Sequence, residues 1–252
     1  MTRNTFIALA ALALSSFGGS AFAEDAWTMR TPQSQPVPQA VETAAGIMTA
    51  SPMDQDIADL QKEWAHIKYQ MSNEDQQLEA IHRLEAQAAS VSAKYPANAE
   101  PKIWEGIILS TDAGIVKGIS ALGKVKKAKE LFETSLKQNP TALDGSAHTS
   151  LGSLYYQVPG WPVAFGDDEE AEKHLKQALR LNPNGIDPNY FYGDFLLEDG
   201  RYSEAKTYLN RALQAPDRPS RPLADAGRRQ EIKAALAQID QKMKNKNTSK
   251  YN

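Results

Sequence analysis

From residue 52 to residue 243 the apolar residues recur at spacings of three and four, the period that gathers them on one face of an α-helix. Three stretches share more than a period. Ala171, Leu175, Ala178 and Leu179 run into Asn182-Pro183, Ala205, Leu209, Ala212 and Leu213 run into Ala215-Pro216, and Ala128, Phe132, Ser135 and Leu136 run into Asn139-Pro140. Each reads small, large, small, large and then proline, which prevents a helix from running on. Upstream of each lies a glycine inside a second helical run, Gly106, Gly152 and Gly193. These glycines follow Pro96, Pro140 and Pro183 by 10, 12 and 10 residues. Regular spacing of this kind marks an internal repeat of two helices.

The repeat resembles the tetratricopeptide repeat, a helix-turn-helix unit. Its most complete copy carries Gly193, Leu196, Asp199-Gly200-Arg201-Tyr202, Ala205, Leu209, Ala212-Leu213 and Pro216. The resemblance implies an all-α, helix-turn-helix solenoid of three to four repeats with a C-terminal capping helix. Small residues let the two helices of a pair approach closely, and larger ones fill the space between successive pairs. Recognisable copies cover about 98–140, 143–183 and 187–216, preceded by a divergent pair at roughly 52–71 and 73–94. A last helix from about Leu223 to Met243, with Ile232, Leu236 and Ile239 on one face, is expected to cover the end of the stack. Ser51-Pro52 and Asp187-Pro188 read as N-cap followed by the first helical residue, and Asp167 with Glu170 as a capping pair.

Two copies depart from the standard unit at the turn between their helices. Gly193 precedes Ala205 by 12 residues, but Gly152 precedes Ala171 by 19 and Gly106 precedes Ala128 by 22. The extra residues fall at 111–122 and 157–166, and stacking is expected to bring both insertions to one edge, in contact. The second, Val158-Pro159-Gly160-Trp161-Pro162-Val163-Ala164-Phe165-Gly166, holds Trp161 and Phe165 as apolar mass expected to bury, either as local core or as the wall of a ligand or peptide pocket.

First helices of such repeats line the concave surface. Counting from each glycine places Ile103, Ile107 and Ser110 there, then Thr149, Ser153 and Tyr156, then Tyr190, Asp194 and Leu197. Tetratricopeptide domains that clamp C-terminal carboxylates use Lys and Asn at these places, and this sequence has neither. An apolar or extended peptide, or a small apolar-polar ligand, fits the mixture better.

The chain ends change the picture. Arg3, the apolar run Phe6 to Leu14 and Ala21-Phe22-Ala23 have the form of a cleaved signal peptide, residues 1–23. The run is too short to span a bilayer, and no membrane anchor is expected. Export to the periplasm is the expectation, with secretion as the alternative. Residues 24–50, with Pro32, Pro36 and Pro38 among glutamines, read as a disordered linker, residues 51–244 as the solenoid and residues 245–252 as a disordered tail. The 252 residues carry 28 Lys+Arg and 31 Asp+Glu, a formal charge of −3 that gives no footprint for nucleic acid. Absence of cysteine removes thiolate chemistry, disulfides, Cys-ligated metals and lipid attachment at once.

Catalytic signatures are near misses. Gly118 to Lys124 resembles a phosphate loop until Val125 takes the place of the Ser/Thr that holds magnesium. Glu79 and His82 have di-metal spacing but occur once, and His66, His148 and His174 stand on separate helices without an i, i+4 partner. Asp167-Asp168 at a helix start reads as capping, and Asp225, Arg228, Arg229 and Glu231 as a self-pairing solvated face or a docking patch. No catalytic residue, metal or cofactor is expected. The expectation is a non-catalytic scaffold holding a protein or peptide partner in the cell envelope, with a small ligand and homo-oligomerisation left open. The inserted turns and the Gly166-Asp167-Asp168-x-x-Ala171-x-x-His174-Leu175 run also distantly resemble T-component proteins of tripartite periplasmic transporters, which would imply a ligand-binding accessory of solute uptake.

Overall fold

The computed structural model describes residues 50–116 and 118–248. The expected signal peptide, residues 1–23, and all but the last residue of the expected linker lie outside the described residues. Nine helices are found among the described residues: α1 (Pro52–Gln70), α2 (Glu74–Lys94), α3 (Ala99–Val116), α4 (Ser120–Gln138), α5 (Ala142–Gln157), α6 (Asp168–Leu181), α7 (Ile186–Glu198), α8 (Tyr202–Leu213) and α9 (Pro222–Thr248). They pack as four successive pairs followed by α9, an all-α solenoid of tetratricopeptide-like design. None is long and apolar enough to cross a membrane. The last helix reaches Thr248, past residue 244, where the sequence pattern ended the fold.

Helix starts follow from local chemistry. Ser51 accepts from the Asp54 amide while the Asp54 carboxylate accepts from the Ser51 amide, a reciprocal cap that satisfies two donors otherwise left free. Asp167 accepts from the amides of Glu169 and Glu170 at 2.9 and 3.1 Å. Asp187 departs from expectation: α7 begins two residues earlier with Gly185 at the cap, and the Asp187 carboxylate is free for the interior.

Pairs close through their glycines. A methyl group built on Gly106 would meet the Phe132 ring at 2.5 Å, one on Gly152 would meet Leu175 at 2.6 Å, and one on Gly193 would meet Leu209 at 2.8 Å. The alanines opposite, Ala128, Ala171, Ala178, Ala205 and Ala212, are completely buried. Small residues at the crossings therefore set the helix separation, and Phe132, Leu175 and Leu209 fill what remains.

The first insertion is not a loop. Its residues lengthen α3 to 18 and α4 to 19 residues, against 13 and 12 for α7 and α8, with Ala113 and Gly114 buried inside α3. A largely apolar run such as Ile107 to Ile115, whose Ser110 and Thr111 hydroxyls bond their own helix and whose Asp112 pairs with Lys124, gains more by continuing a buried helix than by forming a loop with unpaired backbone groups. The second insertion is a finger, residues 158–167, pinned at its base by a bridge between Gly160 and Gly166 and by the Gly166 amide donating to the Pro159 carbonyl at 2.9 Å.

The first helices of the pairs form an inner layer in which α1 meets α3, α3 meets α5, α5 meets α7 and α7 meets α9. Helix α9 also meets α1, so this layer closes on itself. Ala224 of α9 belongs to the same core as Ile57, Leu60, Trp64 and Ile67 of α1, while Ile232, Ala235 and Ile239 belong to the core of α6 to α8. A methyl on Gly227 would strike the Tyr69 ring, so α9 and α1 touch as intimately as the helices within a pair.

Candidate functional site

The inner face is where the closing helix meets the first helices of the repeats. Burial separates the nine residues that the sequence placed there. Ile103, Thr149 and Leu197 are 0, 5 and 3% exposed and belong to the packed interior rather than to an accessible face. Ile107, Ser110, Ser153, Tyr156, Tyr190 and Asp194 are half-buried. Ser110 is turned onto its own helix, its hydroxyl donating to the Gly106 carbonyl. Tyr156 of α5 and Asp194 of α7 are brought together, the phenol donating to the carboxylate at 2.6 Å, with Gln157 donating to the Tyr156 oxygen at 3.1 Å.

Tyr190 is covered rather than open. The Arg228 guanidinium lies 4.3 Å above its ring and 4.7 Å from that of Phe191. Arg228 donates to Asp187 at 2.9 Å and to Glu231 at 2.6 Å, Arg218 bonds both Asp187 and Asp225, and Glu231 reaches Lys68 of α1 at 3.1 Å. Asp225 and Arg228 are 2 and 5% exposed, which corrects the expectation of a solvated or docking cluster opening α9. Burial would raise the Asp187 carboxyl, but Arg228 and Arg218 beside it hold it well below the usual carboxylate range. Burial likewise opposes the Arg228 charge, and Glu231, Tyr69 and Asp187 hold it protonated.

Asp194 sits differently. It makes no ion pair among the described residues, and burial pushes its carboxyl up to about 6, partly offset by the Tyr156 hydrogen bond and assisted by Glu198. Two donors of the interior also lack partners: the Arg221 Nε, whose guanidinium lies 5.0 Å above the Trp104 ring, and the Trp104 indole nitrogen. Neighbouring groups are committed, for Trp64 donates to Thr111 at 2.8 Å.

The insert residues part company. Phe165 packs edge-on against Tyr155 of α5 at 5.7 Å, beneath the Lys129 ammonium, as local core. Trp161 is 90% exposed and Val163 58%, so the expected burial of Trp161, as core or as pocket wall, does not occur. Among the described large hydrophobic residues of the first insertion only Ile119 is exposed, on the turn between α3 and α4.

The catalytic near misses acquire structural roles. Lys124 of the phosphate-loop-like run is engaged by Glu85 and Asp112, at 2.6 and 2.8 Å. His82 lies 3.3 Å from Asp112, and no group of three or more potential metal ligands is found among the described residues. His148 and His174, on separate helices, face each other with Nδ1 atoms 2.9 Å apart, one donating and one accepting. Burial, then the neighbouring His174, lowers the His148 imidazole to about 4.

This architecture defines an α-helical solenoid of stacked helix pairs. Residues 163–239 match the family model of the tetratricopeptide repeat, the segment that runs from the finger through α6, α7 and α8 into α9. No curated protein sequence matches the chain. Among solved structures, a thermophilic tetratricopeptide-repeat protein of Thermus thermophilus is 20% identical with a TM-score of 0.49, covering 75% of this chain and 82% of that one. The pilF protein of Pseudomonas aeruginosa is 13% identical with a TM-score of 0.31, covering 77% of this chain and 92% of that one.

Proposed function

We propose that the chain is an exported, non-catalytic scaffold of the periplasm that holds a protein partner, and that a peptide segment of that partner lies against the inner face at Tyr156 and Asp194. The tetratricopeptide match over residues 163–239 supports the scaffold class. The observation that carries the site is Asp194, a half-buried carboxylate between two tyrosines with no cation of the chain bound to it among the described residues. A buried acid is costly unless a positive or hydrogen-bonding group meets it, so a partner offering an amine or guanidinium is favoured there. Tyr156 supplies an aromatic wall that such a cation prefers, whereas the Tyr190 ring is already occupied by Arg228. No observation favours the solute-transport accessory.

A photo-crosslinking residue at Gln157, expressed in whole cells, tests the reading. The expected result is one specific protein adduct in the periplasmic fraction, lost in Asp194→Asn. Folded protein at normal abundance without an adduct, or protein retained in the cytoplasm, refutes it.

A further inference from the structure

The finger between α5 and α6 is built to present its tip. Val158 is buried, Phe165 is locked against Tyr155 and Lys129, and the amides of Val163 and Ala164 both donate to the Gly160 carbonyl. On this base stand Trp161, Pro162 and Val163, all exposed and all uncharged. A 90% exposed tryptophan held on a hydrogen-bonded base leaves a large apolar area in water, which marks a contact surface.

A receptor of matching chemistry adjoins it on the same chain. A cleft of about 470 Å³ between α4, α5 and α6 is lined by Glu133, Leu136, Lys137, Leu151, Tyr155, Glu170 and His174. Leu136, Leu151 and the Tyr155 ring give an apolar floor, Glu133 and Glu170 give acceptors for an indole N–H, and Lys137 gives a cation for the face of an indole ring. Tyr155 joins the two features, touching Phe165 at the root of the finger and stacking on His174 of the cleft at 5.8 Å. The exposure of Trp161 shows that the finger does not fill its own cleft.

We propose that the occupant of this cleft is Trp161 of a second copy of this chain, in a two-fold dimer in which each finger enters the other's cleft. Ligand and receptor lie side by side on one surface, and a single two-fold rotation satisfies both, as an isologous interface requires. The tip brings no charge toward the two glutamates, and a formal charge of −3 per chain adds little repulsion between copies. An inserted tryptophan buries about 150–250 Å² of its own surface. With Pro162, Val163 and the walls they cover, two such contacts reach the order of 1,000 Å² that separates specific association from incidental contact. This interface leaves the inner face free and does not depend on the reading given for Asp194.

Sedimentation equilibrium on the full mature chain between about 1 and 100 μM, the range for an interface of this size, reads the mass. The expected result is a wild-type dimer and a Trp161→Ala monomer with unchanged helical circular dichroism, because the exposed indole contributes nothing to the monomer's core. A benzoylphenylalanine at position 161, irradiated in a mixture of isotopically labelled and unlabelled chains, is expected to join peptides 133–137 or 170–174 of the other copy. A wild-type monomer throughout the range overturns the proposal, as does a dimer indifferent to Trp161→Ala. Cross-links to another surface of the copy, to a different protein or to vesicle lipid overturn it as well.

Discussion

Replacing Gly152 by alanine adds one methyl group at the crossing of α5 and α6. That methyl would lie 2.6 and 2.9 Å from Cγ and Cδ2 of Leu175 and 3.1 Å from the Ala171 carbonyl. Leu175 is completely buried and Ala171 contributes backbone, so neither gives way without disturbing the pair. Overpacking of this kind costs about 1–3 kcal/mol, against roughly 1 kcal/mol gained from the better helix propensity of alanine. The net expectation is a loss of up to about 2 kcal/mol. Gly123 is the control: it lies inside α4 with nothing within 4 Å of a built methyl, so Gly123→Ala is expected to gain about 0.5–1 kcal/mol. Urea unfolding followed by circular dichroism measures both. In a Leu175→Ala background the Gly152→Ala penalty is expected to vanish, giving a coupling of about 1–3 kcal/mol. Equal stabilisation by the two alanines would refute the claim that glycine sets the helix separation.

Arg228→Ala leaves Asp187 and Glu231 buried without their shared cation and is expected to cost about 3–5 kcal/mol in the same denaturation assay. Asp194 has a folded-state carboxyl raised from its ordinary 3.8 to about 6, so it favours folding below pH 3.8 and loses that contribution as pH rises through 6. Asp194→Asn is therefore expected to stabilise at pH 7.5, by about 1–2 kcal/mol after allowance for partial exposure, and to leave stability at pH 3.5 unchanged. His148 has the opposite sign: its imidazole falls from 6.5 to about 4 on folding, so stability present above pH 6.5 is lost as pH falls toward 4. His148→Gln should flatten the acid limb of a pH-dependent thermal melt. Asp167→Ala removes the acceptor for two amides at the start of α6 and is expected to cost about 1 kcal/mol in thermal unfolding.

The repeat was legible because its determinants are local. A glycine, an alanine twelve residues on, then Leu and Pro encode a crossing and a stop without reference to the rest of the chain: Gly193 meets Leu209 beside the buried Ala205, and the helix ends before Pro216. The turn insertions were only half legible, because added residues alone do not distinguish a longer helix from a longer loop. Ile107 to Ile115 became helix, while Pro159 and Pro162 forced a finger. Charge misled at α9. Asp225 and Arg228 share the stripe that continues through Ile232, Ala235 and Ile239, and that register, rather than their polarity, records their burial. The residues counted onto the inner face divide: Tyr156, Tyr190 and Asp194 converge between α5, α7 and α9, while Ile103, Thr149 and Leu197 turn into the core. Arg218, Arg221 and Lys68 could not be found from sequence, since their roles depend on α9 reaching α1.

That reach alters how the molecule comes apart. A linear array of helix pairs frays from whichever terminal unit is weakest, one unit at a time. Here the first described helix is clasped by the last through Tyr69, Gly227, Lys68 and Glu231, so neither end of the described helical array is a free unit from which melting can begin. Severing that clasp would turn one concerted unfolding event into a staircase.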